Sequence, residues 1–300
     1  MERNDKEYLS AFLRDYGYEP EAQAALMKAY DDVFSLPACR EIGEDLRRLY
    51  GENRDCDFSA VLRGCERMAE LSGVNVFTVN LLILILLTEV SKRHYAAEKI
   101  PEEIWRQNFA DLKYKCAECR AVKGIWGTFV PWWYDRFFNV TRFAFGKLQF
   151  ELMRFDHTYE KEGVILSPQD QAVNVHIPRT GEKLYPADVE DACSRADGFF
   201  RERFGLERTV FICHSWLLYP VNKQLLSKTS NLHDFISRFD LIDQGESADY
   251  SEVWRLFDTE YQGDPDRLPR DTSLRRAYAQ RIKNGQPLGW GFGVWIYRRE

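Results

Sequence analysis

The sequence has no long block of one charge. Its 41 Lys and Arg are interspersed with 47 Asp and Glu, giving a net charge of -6, and such a mixture argues against a nucleic-acid or anionic-membrane surface. Long apolar runs are also missing. The longest, VFTVNLLILILLTEV over 76–90, carries Thr78, Asn80, Thr88 and Glu89 and falls short of the roughly 20 residues a bilayer span needs. Cysteines number seven, an odd count, which fits reduced thiols better than a disulfide framework. Cys116 and Cys119 are the one close pair, and without a second pair at zinc-finger spacing no metal is expected. The opening stretch MERNDKEYLSAF lacks a basic lead, an apolar stretch and a cleavage site, so a cytoplasmic location is expected. There is no internal repeat and no low-complexity tract. The expected partner is a small molecule or another protein.

What is present is a large apolar and aromatic content: 45% hydrophobic and 14% aromatic over 300 residues, a length at which two domains are the natural expectation. The first part predicts helices. In DFSAVLRGCERMAELSG, Phe58, Val61, Leu62, Cys65, Met68 and Ala69 form one stripe, with Asp57 as cap and Gly73 as stop. The run 76–90 is apolar on every side and predicts the central buried helix of a bundle. Pro101, followed by Glu102 and Glu103, opens the next helix, which should end near 124–127. From Ile125 to Phe155 an aromatic recurs at almost every second or third position. That density predicts a domain junction or an aromatic-lined substrate groove, and places a helical domain at 1–128 and a second domain at 129–300.

Beyond the junction the period changes to two. KLQFELMRF puts Leu148, Phe150 and Leu152 on one face and Gln149, Glu151 and Met153 on the other. QAVNVHIP likewise separates Val173, Val175 and Ile177 from Asn174 and His176. The two strands, joined through the turn-rich segment 156–170, are expected to pair antiparallel with their polar faces coincident. A helix with Val189, Ala192, Cys193, Ala196, Phe199 and Phe200 follows, closed by Gly205. Then come the strand in VFICHSWLLYP, a helix capped by Asn231, a helix ending at Gly285, and an alternating strand in GWGFGVWIYRR whose glycines admit another backbone or a ligand. The expected class is α+β.

The blocks GKLQFEL, VNVHIP, VFICHSWLLYP and SNLHDF, with the closing glycine-rich strand, resemble the bacterial acyltransferase-like family that joins an N-acyltransferase N-terminal helical domain to a GNAT-like C-terminal domain. The resemblance implies a mixed, twisted sheet flanked by helices, and an acyl-CoA co-substrate lodged where two central strands splay apart. The resemblance implies no known substrate; taken with the chemistry of the residues, the expected function is acyl-CoA-dependent transfer to an amine of a small molecule or peptide. GNAT enzymes carry Gln/Arg-x-x-Gly-x-Gly/Ala after the central strand, a nest of N–H groups for pyrophosphate. The matching stretch HIPRTGEKLYPADVED has one glycine, Gly181, and an acidic helix start of Asp188, Glu190 and Asp191. CoA contact is therefore expected along Val175, Ile177, Arg179, Thr180, Gly181 and Lys183, with modest, salt-sensitive affinity.

The residues supply their own chemistry. His176 can serve as base for an amine, with Glu151 across the strand pair to orient it and fix its tautomer. Gln149 and Asn174 are candidates to hold substrate, as are Trp132, Trp133 and Trp216. His214 and Ser215 are further catalytic candidates, but adjacent strand residues point to opposite faces, so one should face the site while the other buttresses the strand end. A buried carboxylate such as Glu151 calls for a partner, whereas a strand histidine is also an ordinary structural residue. Two other functions are compatible with the pattern: a catalytically silent GNAT-like module that binds a ligand or partner, and a hydrolase using His176 and Glu151 with water.

Overall fold

The computed structural model describes residues 5–298. It divides into two compact units, Met1–Phe143 and Ala144–Glu300, a division later than the 128/129 change suggested by the aromatic run. The first unit contains α1 (Asp5–Asp15), α2 (Pro20–Phe34), α3 (Pro37–Glu52), α4 (Phe58–Ser72), α5 (Val76–Ala97), α6 (Glu102–Lys123) and a short α7 (Asp135–Phe138). The caps are local. The Asp57 carboxylate accepts from the Ser59 amide, Asn75 does the same for Phe77, and Gly73 and Gly124 end their helices in the left-handed region.

The central helix α5 is buried over most of its length and runs on to Ala97, one turn and more past the expected 90. Three of its hydroxyls are ties to neighbours. Thr88 Oγ1 meets Tyr8 OH at 2.8 Å, Ser91 Oγ accepts from Trp105 Nε1 at 2.8 Å, and Thr78 Oγ1 donates to the Trp126 carbonyl at 2.9 Å. Hydrogen bonds of this kind let a buried helix carry hydroxyls without leaving them unsatisfied. Among the described residues no helix is long and apolar enough to cross a membrane.

The aromatic run packs largely into this helical unit. Phe138 lies against Tyr50, Phe58 and Phe109 at centroid separations of 5.1, 5.7 and 5.1 Å. Tyr95 OH donates to the Phe137 carbonyl, and Tyr134 OH to Asp111. Gly127 is required by close approach: a Cβ there would sit 2.4 Å from the Phe77 carbonyl group, whose oxygen accepts from the Thr128 amide.

The division between the units falls within β1 (Arg142–Phe145). There follow β2 (Leu148–Arg154), β3 (Tyr159–Lys161), β4 (Val164–Leu166), β5 (Gln171–His176), α8 (Pro186–Phe204), β6 (Val210–Ser215), α9 (Val221–Leu225), α10 (Asn231–Ser237), β7 (Asp240–Ser247), α11 (Trp254–Phe257), α12 (Ser273–Lys283) and β8 (Leu288–Ile296). Six strands form one mixed sheet in the order β1-β2-β5-β6-β8-β7, while β3 and β4 make a separate hairpin. The sheet with its helices is the α+β arrangement expected.

Three elements depart from the reading of the sequence. The segment read as a turn-rich connection contains the β3–β4 hairpin. The segment after α10 contains β7, an edge strand with a bulge between Leu241 and Asp243, whose DLIDQGES sequence has no apolar alternation. The cap of α10 is Ser230, which accepts from the His233 amide, and Asn231 is the first helical residue.

The glycines of β8 have a plain reason. At Gly291 a Cβ would lie 2.4 Å from the Leu218 carbonyl oxygen, and at Gly289 it would lie 2.4 Å from the Tyr219 ring. It is another part of the chain that comes close.

Candidate functional site

Parity and register build the site. β2 pairs antiparallel with β5, setting Glu151 opposite Asn174 and Gln149 opposite His176. Directly opposed residues share a face, so the polar faces coincide as expected. β5 then pairs parallel with β6 through Val173–Phe211 and Asn174–Ile212. Beyond those two rungs, each strand continues on its outer neighbour alone: β5 to His176 along β2, and β6 to Ser215 along β8. The centre of the sheet therefore opens at the C-terminal ends of two parallel strands.

The two faces differ sharply. One carries Phe150, Phe211 and Trp295, with ring centroids 5.5 Å apart in both pairs. The other carries Ala172, Val210, Ile212, Phe292 and Val294, packed under Tyr159, Val164 and Leu166 of the hairpin. Following the same parity along the strands, Glu151, Asn174, His176 and His214 lie on this second face, toward the open end.

His176 Nε2 is 3.3 Å from Glu151 Oε2 and 3.2 Å from Asn174 Nδ2. The side chains are 20% exposed for His176 and 7% for Glu151, so the carboxylate is nearly enclosed while the imidazole reaches solvent. The Glu151 carboxylate can only accept and the Asn174 amide nitrogen can only donate, so the two contacts ask for opposite tautomers. The bond to the charged carboxylate is the stronger kind, and it places hydrogen on Nε2 and leaves the lone pair on Nδ1. Gln149 is buried behind the pair. The arrangement orients the imidazole next to an opening in the sheet.

The remaining candidates fall into groups. His214 is exposed on the site face, its ring 4.5 Å from Trp290. Ser215 faces the other way, and its hydroxyl accepts from the Leu217 amide as the cap of a 3-10 turn. Trp216 packs on the side core of Val253, Phe257, Leu274 and Tyr278. Trp132 and Trp133 belong to the helical unit: Trp132 is 55% exposed, and Trp133 lies under the Arg142 guanidinium at 3.8 Å.

After β5 the chain runs through Ile177, Arg179, Thr180, Gly181 and Lys183. Thr180 Oγ1 accepts from the Glu182 amide, and Gly181 turns at φ +81°. Val175 is buried, so only its backbone can meet a ligand here. The acidic helix start is compensated. Asp188 caps α8 by accepting from the Tyr185 amide, and that bond together with Lys147 holds its carboxyl below the usual range. Glu190 meets Arg238 and Tyr297 OH, and Asp191 has Arg195 at 3.7 Å. The repulsion expected from these three carboxylates is correspondingly reduced. Lys147, which also binds the Lys183 carbonyl at 2.9 Å, and Asp258, which holds Arg179 at 2.5 Å, escaped the sequence reading. Neither sits in a local pattern that marks it.

Beside the site face, His157 is held by Asp156 at 2.6 Å and Asp243 at 3.5 Å, with Phe292 4.9 Å from its ring. The bond to Asp156, and less strongly the one to Asp243, raises its pKa above the ordinary imidazole value. A raised folded-state pKa contributes stability that is complete below the unfolded value of about 6.5 and is lost as pH rises through the folded value. The melting temperature should therefore fall as pH rises above that point, and His157→Asn should flatten this part of the profile. An identical profile in the variant would refute it. Among the described residues no group of three or more His, Cys, Asp or Glu could hold a metal ion.

Family models match almost end to end: an N-acyltransferase N-terminal domain over residues 7–140 and a GNAT-like C-terminal domain over 143–295. No curated protein matches. Among solved structures, an acyltransferase mutant in complex with octanoyl-CoA is similar at TM-score 0.74 and 21% identity, covering 99% of this chain and 90% of that one. An acyltransferase in complex with decanoyl-CoA and teicoplanin is similar at TM-score 0.73 and 21% identity, with the same coverage. Another, with CoA and 10C-teicoplanin, is similar at TM-score 0.74 and 22% identity, covering 96% of this chain and 87% of that one. At such identities the likeness is one of fold.

Proposed function

The chain belongs to the family that joins an N-acyltransferase N-terminal domain to a GNAT-like C-terminal domain, and we propose that it transfers an acyl group from acyl-CoA to an amine of a small molecule or peptide. The observation that carries this reading is the Glu151–His176 pair beside the two-rung joint between β5 and β6. Successive residues of a strand turn their backbone groups to opposite sides, so past Asn174 one of Val175 and His176 presents N–H and C=O toward the opening. An extended thioester arm can pair there as a missing strand would.

The acceptor nitrogen attacks the thioester carbonyl, forming the C–N bond as the C–S bond breaks. His176 Nδ1 takes the proton that the amine must lose, and Glu151 holds the Nε2–H and stabilises the imidazolium. The departing thiolate is protonated from solvent. Asn174 and Gln149 line the same face and are assigned to the acceptor. The phosphates fall to the loop 177–183, with Arg179 and Lys183 as cations, so affinity should weaken as salt rises. The teicoplanin in two of the similar structures supports an acceptor of peptide character. A cytoplasmic, bacterial setting belongs to the same reading.

The test is incubation with octanoyl-CoA and a panel of amines and peptides, following free thiol and the mass of the acceptor. Thiol release matched by an acylated amine is expected. Thiol release with free octanoate alone would make the chain a hydrolase. Binding of CoA without turnover of any acceptor would make it a silent ligand-binding module.

A further inference from the structure

The loop after β5 has to meet phosphate groups without a glycine nest, so the placement of its cations matters more than in a chain whose backbone cradles the anion. Arg179 Nη2 is 2.5 Å from Asp258 Oδ2. The same carboxylate oxygen also accepts from Arg275 Nη2. Arg275 is fixed in turn: its Nε donates to the Leu256 carbonyl at 2.8 Å, and its Nη1 to both Asp271 oxygens at 3.0 Å. Asp258 ends α11 in the left-handed region at φ +58°, its amide bonded to the Trp254 carbonyl. Two arginines, one from the loop after β5 and one from α12, thus converge on one carboxylate.

Exposure sets the direction of this chain of contacts. The side chains of Arg275 and Asp258 are 17% and 18% exposed, whereas Arg179 is 40% exposed. The inner members are anchored and the outermost faces solvent. A guanidinium has several N–H donors in a rigid fork. The bond to Asp258 uses one end of it, so a second anion can meet the outer edge in bidentate fashion. A partly exposed ion pair adds little to folding, but it does fix the orientation of a long side chain that would otherwise be free to rotate.

We propose that Asp258 is a positioning residue that holds Arg179 at the edge of the loop to meet the phosphate groups of acyl-CoA. The inference rests on the acyl-transfer reading and goes beyond it by assigning a residue from a different part of the chain to co-substrate recognition. Arg275 and Asp271 complete the support.

The experiment compares the wild type, Asp258→Asn, Arg179→Ala and the double variant on octanoyl-CoA and on octanoyl-pantetheine, which lacks the phosphates. Loss of one oriented, charge-assisted contact should raise KM for octanoyl-CoA by about tenfold in Asp258→Asn, with kcat within about twofold. KM for octanoyl-pantetheine should not change. The double variant should be no worse than Arg179→Ala alone, because the two residues act as one. An unchanged KM for octanoyl-CoA, an equal rise with octanoyl-pantetheine, or additive effects in the double variant would overturn the proposal. A wild type that turns over neither thioester overturns the acyl-transfer reading, and this one with it.

Discussion

His176→Ala should lower kcat by about 10²- to 10⁴-fold, the range attributed to a positioned general base, while leaving acyl-CoA binding by calorimetry unchanged. Glu151→Gln should lower it by about 10²-fold or more, for a different reason. The glutamine amide can donate to His176 Nε2, which moves the ring hydrogen to Nδ1 and removes the lone pair from the nitrogen that takes the proton. The variant keeps the size of the side chain, and its circular dichroism should match the wild type. Normal turnover in His176→Ala would return both residues to a structural role, and the 3.3 Å contact would then be only the means by which a buried carboxylate is satisfied.

Phe211→Ala should destabilise the chain by about 3–5 kcal/mol, the cost of emptying a large aromatic site. Phe211 is fully buried, its ring centroid 5.5 Å from Phe150, 5.5 Å from Trp295 and 5.3 Å from Tyr297. It also stands opposite Val173 in the joint between β5 and β6. Its loss removes both the packing under the opening and support for one of the two rungs. Urea unfolding should show a lower midpoint with an unchanged slope. A loss below about 1 kcal/mol would mean that the rings around it close the cavity.

The Glu151–His176 face was legible in the sequence because strand parity is binary: once Phe150 and Val175 are committed to one face, their neighbours have no choice. The central helix was legible for a similar reason, since apolar residues on every side admit few other fates. What escaped was set at longer range. β7 is recognised by its ladder to β8, and nothing in its mixed burial announces a strand. The β3–β4 hairpin has strands of three residues each, too short for a period to be read. The aromatic run announced dense packing but could not say which partners it would take, and Phe138 chose α3, α4 and α6. Asp258 escaped because Arg179, which it holds, reaches it only through the folded path of the loop.

The two-rung joint has a consequence for how this unit comes together. The strands on one side of it, β1, β2 and β5, lie within residues 142–176, and those on the other, β6, β8 and β7, lie within 210–296. The parallel joint is the shorter-range closure, pairing Asn174 with Ile212 through the crossover of α8, whereas the ladder beyond it has to bring Ile212 to Val294. Two rungs alone thus join the two laddered halves of the sheet, and the backbone left without a neighbour past them is where an extended segment from outside the chain would complete the pairing.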